Sequence, residues 1–244
     1  MDEFAKKEGV SILTADNIQQ ELQSAKEILY GVIDKKTVLF LSGGSTPKAL
    51  YEEIAREKIL KPGAVALVDE RYGEINHPDS NEKMIRETGF VSYLQSSNVR
   101  FYPILENKDF EKTVKDYDET VRLLLSKFPK SVGIFGMGND GHTAGIAPNK
   151  DNFVNPLFGK DQENLFVSCF DDGNTFQTGF GKRITLTFKA MEMFDFLIIF
   201  VFGSSKKNAL SLMFKQGSLE EIPSRFYLKP EISKKTLLIT DQKV

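Results

Sequence analysis

The chain has 244 residues, 41% apolar and 27% charged, which are the proportions of a globular protein rather than a disordered or fibrous one. Lysine and arginine number 32 against 34 acids, so no whole-chain basic field would draw in nucleic acid or an anionic membrane, and an anionic ligand must be met locally. The most apolar run, Phe196 to Phe202, is too short to span a bilayer, and Met1 to Lys7 carries no signal-peptide core; a cytoplasmic location without nucleic-acid or membrane partners is the expectation.

Asp16 with Gln19 three residues on resembles a helix start, and Ile18, Leu22, Ala25, Ile28, Leu29 and Val32 recur at helical spacing, predicting a helix to about residue 31. Thr37 to Leu41 is an apolar run of strand length that breaks at Ser42-Gly43-Gly44-Ser45-Thr46-Pro47. Proline suits the first helical position, so Thr46 is the expected cap of a helix to about Lys58. Val65 to Val68 reads as a second buried strand, ending in Asp69-Glu70-Arg71. A short helix near residues 81 to 88 and a strand at Val99 to Tyr102 follow. Phe110, Val114, Tyr117, Val121, Leu124 and Phe128 step by three or four along the clearest helix, which Pro129 stops. The next strand runs straight into Gly136-Met137-Gly138-Asn139-Asp140-Gly141-His142-Thr143. Beyond a polar stretch from Asn149 to Asn164, strands are expected at Leu165 to Phe170, Ile184 to Phe188 and Phe196 to Phe202. Ser204-Ser205 would cap a helix through Leu212, and Thr236 to Thr240 would close the sheet.

Strands that alternate with helices and are apolar throughout indicate an α/β fold. The expectation is one domain, a three-layer sandwich whose mostly parallel, Rossmann-like sheet carries helices on both faces. Ligands of such sheets bind where loops leave the carboxyl ends of strands. Ser42 to Thr46, Asp69 to Arg71 and Gly136 to Thr143 all occupy that position, so three polar loops can converge on one cleft.

The glycines at 136, 138 and 141 match the dinucleotide spacing G-x-G-x-x-G, but Pro148 comes too soon for the long helix that a true fingerprint opens. No strand surrounds Asp161 to supply the ribose-binding acid. Ser42 to Pro47 offers backbone amides and two hydroxyls at a helix start, favourable for a phosphate, though a plain strand-to-helix turn would read the same. His142 is suited to general-base chemistry, with Asp140, Asp69 or another acid to hold its ring, although Asp140 would equally serve to cap the following turn. His77, beside Pro78 in a polar loop, reads as solvated. Arg71 reads as a substrate ligand or as half of an internal ion pair, and Lys206 by itself as a surface lysine. Cys169, the only cysteine, sits in an apolar run and reads as a buried thiol. Two distant histidines and one cysteine offer no familiar metal-ligand spacing.

Four stretches, Ser42-Gly43-Gly44-Ser45-Thr46-Pro47, Val68-Asp69-Glu70-Arg71 with Pro78-Asp79-Ser80-Asn81, Gly136 to Thr143, and Arg183-Ile184-Thr185-Leu186-Thr187, together closely resemble the 6-phosphogluconolactonases in order and spacing. The resemblance implies hydrolysis of 6-phosphoglucono-1,5-lactone without metal or organic cofactor; a monomer or small homo-oligomer is the expectation, which the sequence does not decide. It casts His142 as the base, with Asp69, Arg71 and Asp140 in the site, Gly43, Gly44, Gly138 and Gly141 in the binding loops, and Ser45, Thr46, Arg183 and Lys206 around the phosphate. The related glucosamine-6-phosphate deaminases carry a glutamate seven residues after the aspartate of Asp-Gly-His, where this chain has Ala147, and read Asp-Glu-Tyr where it has Asp69-Glu70-Arg71. Gly145-Ile146-Ala147-Pro148 departs from the lactonases in turn, which usually have bulkier residues there. A non-catalytic sugar-phosphate sensor is a third reading, which would call for a DNA-binding segment. The chain is expected to begin directly with the first helix of the fold, leaving no room for one.

Overall fold

In a strand, neighbouring side chains point to opposite faces, so a run buried at every position must lie in a sheet covered on both sides. The computed structural model shows this for Thr37–Leu41 and Phe196–Val201, buried at every residue. It describes residues 4–148, 166–171 and 180–244, without the side chains of residues 18, 46 and 168–171.

The elements in chain order are β1 (Ala5–Lys7), β2 (Val10–Thr14), α1 (Ile18–Val32), β3 (Thr37–Leu41), α2 (Ser45–Glu57), β4 (Ala64–Leu67) and β5 (Asp69–Arg71). Next come α3 (Asn81–Glu87), α4 (Phe90–Ser96), β6 (Arg100–Tyr102), α5 (Phe110–Lys127) and β7 (Lys130–Gly136). The remainder comprises β8 (Val167–Asp171), β9 (Lys182–Leu186), α6 (Phe188–Glu192), β10 (Phe196–Val201), α7 (Lys207–Met213), α8 (Pro230–Ser233) and β11 (Thr236–Thr240).

The main sheet has the order β1-β2-β11-β10-β7-β3-β4-β6 and is parallel apart from β1. Helices cover both of its faces, as the apolar runs require. Aromatic rings fill the interior: Phe40 stacks on Phe194 at 4.8 Å between centroids, and Phe135 meets Tyr227 edge-on at 5.9 Å.

Several expectations change. Two strands, β1 and β2, precede the first helix, and β2 pairs in parallel with β11. The sequence does not show them because β1 is three residues long and exposed and Val10–Thr14 mixes polar with apolar residues. Asn17, not Asp16, caps α1, accepting from the Gln20 amide at 3.0 Å. The strands near 165 to 170 and 184 to 188 do not extend the main sheet; β5, β9 and β8 form a separate antiparallel one. Phe188 opens α6 instead of ending a strand, with Thr187 as its cap. Ser204 and Ser205 lie in a 3₁₀ turn, and α7 begins at Lys207 without a side-chain cap. The Cys169 side chain lies outside the described residues.

Glu21, in the first turn of α1, is fully buried, and neither carboxylate oxygen has a hydrogen-bond partner among the described residues. Burial, reinforced by the Asp241 charge, pushes its carboxyl up to about 8. A raised carboxyl favours folding fully below its unfolded value of 4.5, and that contribution disappears as pH climbs through about 8. Glu21→Gln has no charge to bury. Relative to wild type its Tm should therefore improve between pH 5 and pH 8 by about 4–8 °C, the equivalent of about 2 kcal/mol in a chain of this size. Parallel melting curves across that pH range would refute this.

Candidate active site

Val68 is where the chain leaves one sheet for the other. Its N–H donates to Leu41 of β3 at 2.9 Å, and its carbonyl accepts from Leu186 of β9 at 2.9 Å. The next residues, β5, therefore stand at the carboxyl end of the main sheet, beside the loops leaving β3 and β7. Together these form a cleft of about 560 Å³.

The loop after β3 turns at Gly44, whose φ of 118° few side-chain-bearing residues adopt, and α2 starts at Ser45 with no side-chain cap. Thr46 is thus inside the first turn rather than at the cap, and its side chain lies outside the described residues. The uncapped amides of that turn, with the positive end of a 13-residue helix behind them, suit an anion. Tyr51 steadies the loop, donating to the Ser42 carbonyl at 2.9 Å.

Alternation along β5 sends Asp69 and Arg71 to one side and Glu70 to the other. Asp69 is almost buried and accepts from Ser42 Oγ at 3.0 Å. Glu70 accepts from the backbone amides of Arg71, Asn81 and Glu82, each at 2.8 Å, and from Ser80 Oγ at 2.9 Å, which staples the start of α3 to the strand. Burial still pushes its carboxyl up to about 7, against the pull of those four donors. Arg71 makes no ion pair among the described residues; Nη1 donates to the Asp79 carbonyl at 3.1 Å and to Asn81 Oδ1. In the β5–β9 register it faces Arg183, so two guanidinium groups share one side of the small sheet. Two guanidinium groups on one side of a strand pair suit an anionic ligand. Lys206, at the end of the 3₁₀ turn after β10, adds a third cation at the cleft. Its ammonium is lowered by partial burial and partly restored by the Asp140 charge.

The loop after β7 presents His142. Its Nδ1 lies 2.7 Å from Asp140 Oδ1, and the same oxygen accepts the His142 amide at 3.0 Å, so Asp140 both orients the ring and caps the turn. Partial burial would raise the Asp140 carboxyl, but hydrogen bonds from the His142 ring and backbone and the ring's charge outweigh it and hold it below the ordinary value. A carboxylate at Nδ1 favours the neutral tautomer with its proton on that nitrogen, in which Nε2 is the accepting atom. Gly138 makes room: a Cβ there would come within 2.0 Å of Nδ1.

The cleft brings together Gly43, Gly44, Ser45, Asp69, Arg71, Gly138, Asp140, His142, Arg183 and Lys206, all expected from sequence. Gly141 falls behind the wall instead, where its φ of 85° turns the loop, its carbonyl accepts from the Ser224 amide and an added Cβ would strike Ile222. His77 is not solvated; it is buried, its Nε2 lies 2.9 Å from the Arg71 carbonyl, and its ring stacks on Phe180 at 3.9 Å. Ser42, Asn81 and Asn139 also line the cleft, and each belongs to one of the four motif stretches, though the sequence pointed to no separate role for them. No group of three or more potential metal-ligating side chains occurs among the described residues, and no helix there is long and apolar enough to cross a membrane.

An α/β sheet with a cationic cleft and a carboxylate-held imidazole at its carboxyl edge is suited to a small anionic ligand. Two solved structures share the fold: a 6-phosphogluconolactonase from Plasmodium vivax (TM-score 0.77, 21% identity, covering 100% of this chain and 94% of that one) and a monomeric glucosamine-6-phosphate deaminase (TM-score 0.68, 17% identity, covering 94% and 96%). The family model for glucosamine-6-phosphate isomerases/6-phosphogluconolactonase matches residues 7–237, and the chain belongs to that family. A 6-phosphogluconolactonase from Nostoc sp. is 32% identical over 195 residues, covering 76% of this chain and 75% of the relative. One from Thermotoga maritima is 29% identical over 210 residues, covering 84% and 86%.

Proposed function

We propose that the chain, acting as one catalytic domain, hydrolyses 6-phospho-D-glucono-1,5-lactone to 6-phospho-D-gluconate, with His142 as the general base. The observation that carries this is the Asp140–His142 pair: an imidazole held by its Nδ1, in a cleft that also holds three cations. The names of the Nostoc and Thermotoga relatives support the substrate. Water attacks the lactone carbonyl carbon while His142 Nε2 takes its proton, and Arg71 or the loop amides stabilise the oxyanion. Collapse breaks the bond from that carbon to the ring oxygen, and the imidazolium returns the proton to that oxygen as it becomes a hydroxyl. Arg183, Lys206, Ser45 and the α2 amides hold the phosphate, and Asp69 positions the loop after β3 through Ser42.

The deaminase reading loses support at Ala147, a small apolar residue at the position where those enzymes carry a ring-opening glutamate. Purified protein should accelerate opening of freshly made 6-phosphogluconolactone above the spontaneous rate. Ammonia release from glucosamine 6-phosphate would move the assignment to the deaminases, and binding without turnover of either compound would make the protein a sensor.

A further inference from the structure

Asp69 and Arg71 share a face of β5 about 7 Å apart along the strand, close enough for a flexible guanidinium to fold onto the carboxylate and cancel both charges. They do not pair; the Asn81 side chain stands between them. Its Nδ2 donates to the Asp69 carbonyl at 2.9 Å and to Asp69 Oδ2 at 3.1 Å, while Oδ1 accepts from Arg71 Nη1. Guanidinium only donates and carboxylate only accepts, so these two charges dictate which way the amide faces. The amide is itself held: the Asn81 backbone N–H is tied to Glu70, the residue is nearly fully buried, and a Cβ on Gly43 would fall 2.0 Å from Oδ1. One side chain therefore touches the carboxylate, the guanidinium and the loop that leads into α2.

We propose that Asn81 is a positioning residue: its amide, wedged between the Asp69 carboxylate and the Arg71 guanidinium, keeps the two charges from closing on each other and aims both into the cleft. Its catalytic consequence rests on the lactonase reading. Asn81→Asp keeps the shape and the acceptor for Arg71 but turns the donor into an oxygen facing Asp69. Ionised, the new carboxylate repels its neighbour; protonated, it donates as the amide did.

Activity of Asn81→Asp on the lactone should fall about 10–100-fold in kcat/KM at pH 8. The ratio of variant to wild type should recover by at least about fivefold at pH 5.5, as the donor returns. Asn81→Ser, which reaches neither partner and does not titrate, should show a loss of similar size whose ratio is flat with pH; it also serves if Asn81→Asp does not fold. A flat ratio for Asn81→Asp, or Asn81→Ser turnover within about threefold of wild type, overturns the role. If the wild-type chain does not open the lactone, the substrate reading fails by itself, and the wedge is judged by unfolding. The Tm gap between wild type and Asn81→Asp should then widen from pH 5.5 to pH 8, and a constant gap overturns it.

Discussion

His142→Ala is expected to lose about a hundredfold to ten-thousandfold in turnover of 6-phosphogluconolactone, the range that a positioned general base contributes, while keeping its fold. The loop that carries the residue is pinned by backbone bonds independent of the ring: Gly138 N–H to the His142 carbonyl at 2.9 Å, Gly141 N–H to the Gly138 carbonyl at 3.1 Å, and Ser224 N–H to the Gly141 carbonyl at 3.0 Å. Thr143 adds side-chain bonds to the Gly136 carbonyl and to Tyr227. Removing a partly exposed imidazole leaves all of these in place, so the defect should appear in kcat and not in the melting curve. With spontaneous hydrolysis subtracted, turnover matching wild type would remove His142 from the mechanism.

Gly138→Ala should approach the same loss by a different route. An added Cβ would stand 2.0 Å from His142 Nδ1 and 2.7 Å from Asp140 Oδ1, in the space the pair occupies. Both neighbours are side chains, and the ring can swing out of the way. The backbone at Gly138 has no positive φ to forbid alanine, so the substitution sacrifices the Asp140–His142 geometry rather than the fold. A misplaced base costs on the order of a hundredfold, and kcat should fall by that factor with Tm changed by no more than about 3 °C. Full activity in Gly138→Ala would show that the Nδ1 contact does not set the orientation catalysis needs.

The parallel sheet was legible because strands such as β3 and β10, covered on both faces, leave uninterrupted apolar runs between helical stretches. Its amino edge was not: β1 is three residues long and exposed, and β2 mixes polar with apolar residues. The second sheet escaped for a different reason. Nothing in the period of residues 182 to 186 distinguishes a strand that joins the main sheet from one that pairs with Asp69–Arg71. That choice is made by Val68, whose two hydrogen bonds reach one sheet each.

His77 misled for want of a partner in view. A histidine next to proline among polar residues reads as wet, and its burial depends on Phe180, about a hundred residues away, which stacks on its ring. Asn81 belonged to a recognisable stretch, but its contacts to both Asp69 and Arg71 require α3 to be stapled onto β5 through Glu70.

By itself the sequence determined the chemistry on offer: a glycine turn before a helix, an acid and an arginine two apart on a strand, and an imidazole two residues after a carboxylate. These are local features, set by spacing of a few residues. Only the tertiary structure decided that they meet, that Arg183 stands opposite Arg71 and that an amide separates Arg71 from Asp69. Such relations depend on strand register and on contacts between distant segments, which no short-range pattern encodes.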